Sequence, residues 1–264
     1  MDKKPYDDPE TEDWEWEEDE EESAEAQRAA AARRRKIRNV VVSLLVLALL
    51  GNVLAFWPQI YNSTTLPFLF KSKELSTREN VQSYKEAVVL VSTDKGKGTG
   101  FHVDGGYIVT NHHVIEGGAY TAVKFPGNDR AFEATLAGSD PGLDIAVLRV
   151  DTGEYELPSI AVDRDWKPGE HVYIIGNPLY FTQIVNEGSV LELVPIRGRD
   201  KPALAIDAPV FKGNSGSPVI NGDGKAIAVI YATTELAEEN GASRTVGLAV
   251  PLADLGRLLD SIGD

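Results

Sequence analysis

From Ala87 onward the chain is a succession of short Val- and Ile-rich runs cut by glycine turns. The runs at 87–91, 106–110, 144–150, 172–175, 189–193, 226–230 and 246–250 read as strands. Val, Ile and aromatic residues fit a pleated, half-buried surface. Turn residues separate the runs, as in Asp104-Gly105-Gly106 and Asn221-Gly222-Asp223-Gly224. Many short strands at close spacing point to an all-β barrel or sandwich and away from βαβ units. Only the end reads as helix. Pro251 at a first-turn position precedes Leu252, Leu255, Leu258, Leu259 and Ile262, an i, i+3, i+4 stripe that predicts a helix over 251–262.

Three other blocks precede this β-rich region. Residues 1–39 are hydrophilic and read as a disordered tail on the cytoplasmic side. The first 27 hold 14 acids against Lys3 and Lys4, with Trp14 and Trp16 inside the acidic run. Such a tract repels itself and cannot bury a core. Residues 28–39 hold six bases and no acid. Residues 40–58 then read as a single transmembrane helix, because Val40 to Trp57 is apolar apart from Ser43 and Asn52. Trp57 and Tyr61 suit an interfacial belt, and the Arg33–Arg38 cluster predicts that the N-terminal side stays in the cytoplasm. The long hydrophilic leader and the lack of a small-x-small cleavage site argue against a cleaved signal peptide. Residues 59–82 read as a linker, with Thr77 as a cap for one or two helical turns, and 83–264 as the globular domain.

Charge and cysteine content narrow the function. The net charge is −15 with no long basic face, so nucleic-acid binding is disfavoured. There is no cysteine, hence neither a disulfide framework nor a cysteine metal site. Neither metal nor cofactor is expected.

The chemistry concentrates in Phe211-Lys212-Gly213-Asn214-Ser215-Gly216-Ser217-Pro218. Glycines around a serine allow a tight turn that brings backbone N–H groups near a substrate carbonyl. A serine hydroxyl is a poor nucleophile at neutral pH, so it needs a base and a group that orients the base. Four histidines exist: His102, His112, His113 and His171. His112 and His113 follow a strand in Thr110-Asn111-His112-His113-Val114. Asp144 opens the strand Asp144-Ile145-Ala146-Val147-Leu148.

Together these residues resemble the trypsin-like serine peptidases, most closely their HtrA/Deg branch. The resemblance spans roughly residues 83–262 and also takes in Gly98-Thr99-Gly100-Phe101 and Gly176-Asn177-Pro178. It implies a double six-stranded β-barrel of the chymotrypsin type with a C-terminal helix. It implies His113 as base, Asp144 as orienter and Ser215 as nucleophile, with the N–H groups of Gly213 and Ser215 as oxyanion hole. It implies a primary pocket lined by Phe211, Val229, Ile230 and Tyr231. No acid or histidine stands on that pocket strand, so small or medium apolar P1 residues are expected. No PDZ module, common in that branch, is expected after the helix at 251–262, and the resemblance assigns no oligomeric state. The expected function is a membrane-anchored serine endopeptidase. It would be held in the lipid bilayer through residues 40–57 and would cleave misfolded or specific extracytoplasmic proteins or peptides. The alternative is a catalytically silent binding or signalling module on a protease fold, which an intact triad disfavours.

Overall fold

The computed structural model describes residues 28–52, 65–153, 157–178, 181–237, 241–255 and 258. Residues 28–52 form one helix, α1, and every residue in it is exposed. The sequence reading placed 28–39 in a disordered tail. Four alanines and a run of arginines, all strong helix formers, explain why the helix starts there instead. Among the described residues no helix is long and apolar enough to cross a membrane. The expected span runs on to residue 58, and 53–58 lie outside the described residues, as do 1–27.

The second unit begins at Thr64. Helices α2 (Thr65–Leu75) and α3 (Glu79–Ala87) lead into twelve strands. These are β1 (Val88–Thr93), β2 (Lys97–Val103), β3 (Tyr107–Thr110), β4 (Thr121–Lys124), β5 (Ala131–Asp140) and β6 (Ile145–Val150), with the single turn α4 (His112–Ile115) after β3. Then come β7 (His171–Gly176), β8 (Ile184–Val194), β9 (Ala203–Asp207), β10 (Pro218–Ile220), β11 (Ala226–Ala237) and β12 (Ser243–Pro251). The strands close into two antiparallel barrels, ordered β1-β2-β3-β6-β5-β4 and β10-β11-β12-β9-β8-β7. Each of the seven runs read as strands falls on one of these, with only the first residues Ala87, Gly106 and Asp144 outside.

Each barrel is filled from within, and a third cluster joins them. Val89, Ile108, Phe132 and Leu148 fill the first barrel; Ile174, Leu204, Ile206 and Ile227 fill the second. Phe101, Val109 and Ile145 of the first pack with Ile175, Val229 and Val250 of the second. Strand β7 shows why its sequence is apolar without a break. Val172 and Ile174 point into the second barrel, while Tyr173 and Ile175 point into the joint between barrels.

Three readings need correction. Pro251 does not start a helix; it ends β12 opposite Ala228, a strand end that tolerates a residue without an N–H. A 3₁₀ turn, Leu252–Leu255, follows, and the rest of the expected 251–262 helix, except Leu258, lies outside the described residues. The stretch read as a linker carries α2 and the start of α3. Phe68, Leu75 and Val81 are buried there, so this stretch is part of the globular unit. Thr77 does not cap α3: its hydroxyl donates to Glu74 O, and Arg78 occupies the cap position with no capping bond from its side chain.

Candidate active site

Strand pairing brings the base and its orienter together. Strand β3 runs antiparallel to β6, with Thr110 opposite Ala146. The residues just after β3 therefore meet those just before β6. Asp144 sits there with φ of 57°, a left-handed conformation that aspartate tolerates better than most side chains. Its carbonyl accepts from Asn111 Nδ2 at 2.9 Å and from His112 N at 3.2 Å. Its carboxylate grips His113 twice, through Oδ1 from the backbone N–H at 2.9 Å and through Oδ2 from ring Nδ1 at 2.7 Å. An ionised carboxylate only accepts, so Nδ1 carries the proton and Nε2 is left with its lone pair. His113 is 45% exposed and Asp144 19%.

The serine comes from the second barrel, in the loop before β10. Asn214 N donates to Phe211 O at 3.0 Å, and Gly213 has φ of 101°. An i to i+3 bond with a positive φ at the third residue is a type II turn, which calls for glycine there. The next glycine, Gly216, has φ of 87°, and a Cβ on it would fall onto Thr99 O. Gly176 is required for space, since a Cβ there would collide with Ser217 Oγ and Asn214 Oδ1. Among the described residues the N–H groups of Gly213 and Ser215 have no acceptor in the chain. Two unpaired N–H groups, one on the serine and one two residues before it, are the donors that an anion cradle needs.

Thr99 on β2 ties this loop to the first barrel. Its N–H donates to Ser215 O and its hydroxyl to Gly213 O, both at 2.8 Å. The same hydroxyl accepts from Asn177 N at 2.9 Å. Gly98 lies between the two halves of the site. A Cβ there would stand 2.7 Å from Val114, next to His113, and 3.2 Å from Ser215 O. The Ser215 hydroxyl itself makes no hydrogen bond among the described residues. Such contacts often tighten only when substrate fills the site.

The expected pocket residues are not gathered in one place. Val229 and Ile230 are fully buried, Val229 in the joint between barrels and Ile230 inside the second barrel, so neither side chain lines an open pocket. Phe211 faces Phe68 of α2, at 4.6 Å between ring centroids. Tyr231 is half-buried under the Arg199 guanidinium, 4.3 Å from its ring centroid. Burial pushes its phenol above the ordinary range, against the opposing Arg199 charge. Sequence reasoning quoted Thr99 and Asn111 without giving them a role and missed Phe68. Their roles depend on contacts across barrels that no local pattern encodes.

A family model described as "Trypsin-like peptidase domain" matches residues 98–229, half of the chain. The chain belongs to that family. Trypsin-like relatives include a probable periplasmic serine endoprotease DegP-like of Brucella suis biovar 1 (strain 1330), 34% identical over 176 residues, 63% of this chain and 33% of the relative. Protease Do-like 1, chloroplastic, of Arabidopsis thaliana is 31% identical over 182 residues, 66% of this chain and 40% of that one. The chain thus spans about a third of the length of the curated relatives it matches. Among solved structures it is similar to Rv3671c from M. tuberculosis H37Rv, a serine-to-alanine mutant in an inactive form. That match has a TM-score of 0.58 and 26% identity, and covers 72% of this chain and 92% of the other.

Proposed function

We propose that this trypsin-like domain is a serine endopeptidase acting through Ser215, His113 and Asp144. The observation that carries the reading is a histidine whose Nδ1 is held by a carboxylate, together with a serine turn that has two unpaired N–H groups among the described residues. Ser215 Oγ attacks a peptide carbonyl as His113 Nε2 takes its proton, and the Asp144 carboxylate stabilises the imidazolium. The carbonyl oxygen, now negative, is received by the N–H groups of Gly213 and Ser215. His113 gives the proton to the leaving amine, the C–N bond breaks, and an acyl-enzyme forms. Water, deprotonated by His113, then releases the acid and restores Ser215.

Ser215→Ala is expected to abolish labelling by a fluorophosphonate probe and cleavage of an unfolded protein, with the melting temperature retained. Undiminished cleavage by the pure variant would sink the reading. The substrate reading is a protein or peptide cut after small or medium apolar residues. Val210 and Phe211 before the turn are apolar, and no acidic residue lies in 208–218. A peptide-library profile should show Ala, Val, Ile or Leu at P1, and a preference for Glu, Lys or Arg would refute it.

Residues 40–57 are read as a single-pass membrane anchor, with the basic residues 33–38 on the cytoplasmic side and the peptidase outside. The support is a helix whose apolar residues Val40 to Leu50 are exposed, directly after a basic cluster. The periplasmic naming of the DegP-like relatives agrees with that side.

A further inference from the structure

The turn that presents the oxyanion-hole donors is held from two directions, and only one belongs to the two-barrel core. From the first barrel, Thr99 Oγ1 donates to Gly213 O at 2.8 Å. From the other direction comes α2, which is not part of either barrel. Its Phe68 is buried, 5% exposed, and lies against Phe211 with ring centroids 4.6 Å apart and planes at 34°. Phe181 closes the edge of the Phe68 ring at 6.3 Å. Phe211 is the first residue of the type II turn, the one whose carbonyl accepts from Asn214 N.

α2 is itself firmly seated. Ser72 is buried, and its hydroxyl accepts from Val185 N of β8 at 2.9 Å. Leu75 is fully buried at the far end. Lys71 and Arg78 reach Glu187 of β8 at 3.0 and 3.2 Å, and Arg78 donates to Tyr173 Oη at 2.7 Å. Phe68 therefore presses on the turn from a fixed base.

We propose that α2 is a strut for the oxyanion hole and that Phe68 is a positioning residue, acting on Gly213 N–H through Phe211. The proposal rests on the serine-peptidase reading above. The physical basis is the nature of the turn. Types I and II differ by a rotation of the central peptide, here Lys212–Gly213, and that rotation swings the Gly213 N–H to the opposite face. A glycine at the third position accepts both conformations, so the turn's own sequence does not lock it. The lock has to come from neighbours, and the stack on Phe211 is one. Without Phe68, Phe211 loses its main aromatic partner and the turn gains freedom. Phe68 is buried and offers little surface to a substrate, so binding elsewhere in the cleft should hold.

The test uses the full chain and the series Phe68→Leu, Phe68→Val and Phe68→Ala. Expected is a stepwise fall in kcat as the side chain shrinks, reaching about tenfold to a hundredfold for alanine, short of the ~10²–10³ for losing a donor outright. KM stays within about twofold. Affinity for a peptidyl aldehyde, whose adduct places an oxyanion in the hole, should fall in parallel with kcat. Phe132→Ala, in the first-barrel core, should lower the melting temperature without this kcat pattern. Should the alanine variant fail to fold, the leucine and valine variants still read the trend. A flat kcat across the series, with only the melting temperature falling, overturns the strut and leaves the peptidase reading intact. A wild-type chain inert to the fluorophosphonate probe overturns that reading and this proposal with it.

Discussion

At the scale of single residues, Asp144 carries the most structure per atom. One residue fixes the His112 backbone, the Asn111 side chain and both the backbone and ring of His113. Asp144→Asn tests its role as orienter cleanly, because asparagine also tolerates a positive φ. An amide in place of Oδ2 can donate to Nδ1, and the histidine then turns its proton toward the serine. Expected is a fall in kcat of about 10³–10⁴, with the melting temperature little changed. A variant retaining a tenth of the activity would remove Asp144 from the mechanism. The pairing of His113 with Asp144 and the turn before Ser215 could be read because each lies in a short local pattern. Val229 and Ile230 were misread because neighbours along a strand point to opposite faces. At β11 both of those faces are buried.

At the scale of elements, the strands that could be read were those with runs of Val, Ile or Leu, such as β7. Strands β2, β4, β5, β9 and β10 were missed: they are short, carry glycines, or mix Ala, Thr and Glu with few β-branched residues. α2 was taken for linker because only Phe68, Ser72 and Leu75 are buried among its described side chains, too sparse a stripe to announce a docked helix. What docks it is non-local, above all the cluster around Glu187. Burial pushes the Glu187 carboxyl up, but hydrogen bonds from Lys71 and His171 and the charges of Lys71 and Arg78 outweigh it. The net effect holds the carboxyl below its ordinary range. A carboxyl depressed in the folded state adds stability above its unfolded pKa, near 4.5, and loses it as pH falls through the folded value. Glu187→Gln should therefore lower the melting temperature at pH 7, and the gap from wild type should close as pH drops below about 4. A gap that stays constant from pH 7 to pH 3 would show that the carboxylate charge does not hold α2.

At the scale of the whole molecule, strand spacing pointed to a barrel or sandwich and the family resemblance to two barrels, but neither gave their joint. The joint is built by Thr99 and Asn177, each bonding across it, with Asn177 Nδ2 donating to Val89 O at 2.9 Å. Such pairs lie far apart in sequence, and nothing in either segment alone names its partner. The N-terminal region poses the opposite case, since its apolar run and flanking bases are fully visible in sequence. The proposed orientation puts residues before Arg33 in the cytoplasm and the barrels outside. The chain contains no cysteine, so any introduced thiol reports its own side without background. Ser23→Cys lies before the basic cluster, and Asp129→Cys replaces an exposed residue between β4 and β5. In intact spheroplasts a membrane-impermeant maleimide should label Asp129→Cys at once and Ser23→Cys only after lysis. The asymmetry follows from the bases at 33–38, because translocating five clustered cations is far costlier than leaving them on the side of synthesis. Labelling of both positions before lysis would mean that the tail crosses too, and the reversed pattern would place the catalytic turn in the cytoplasm.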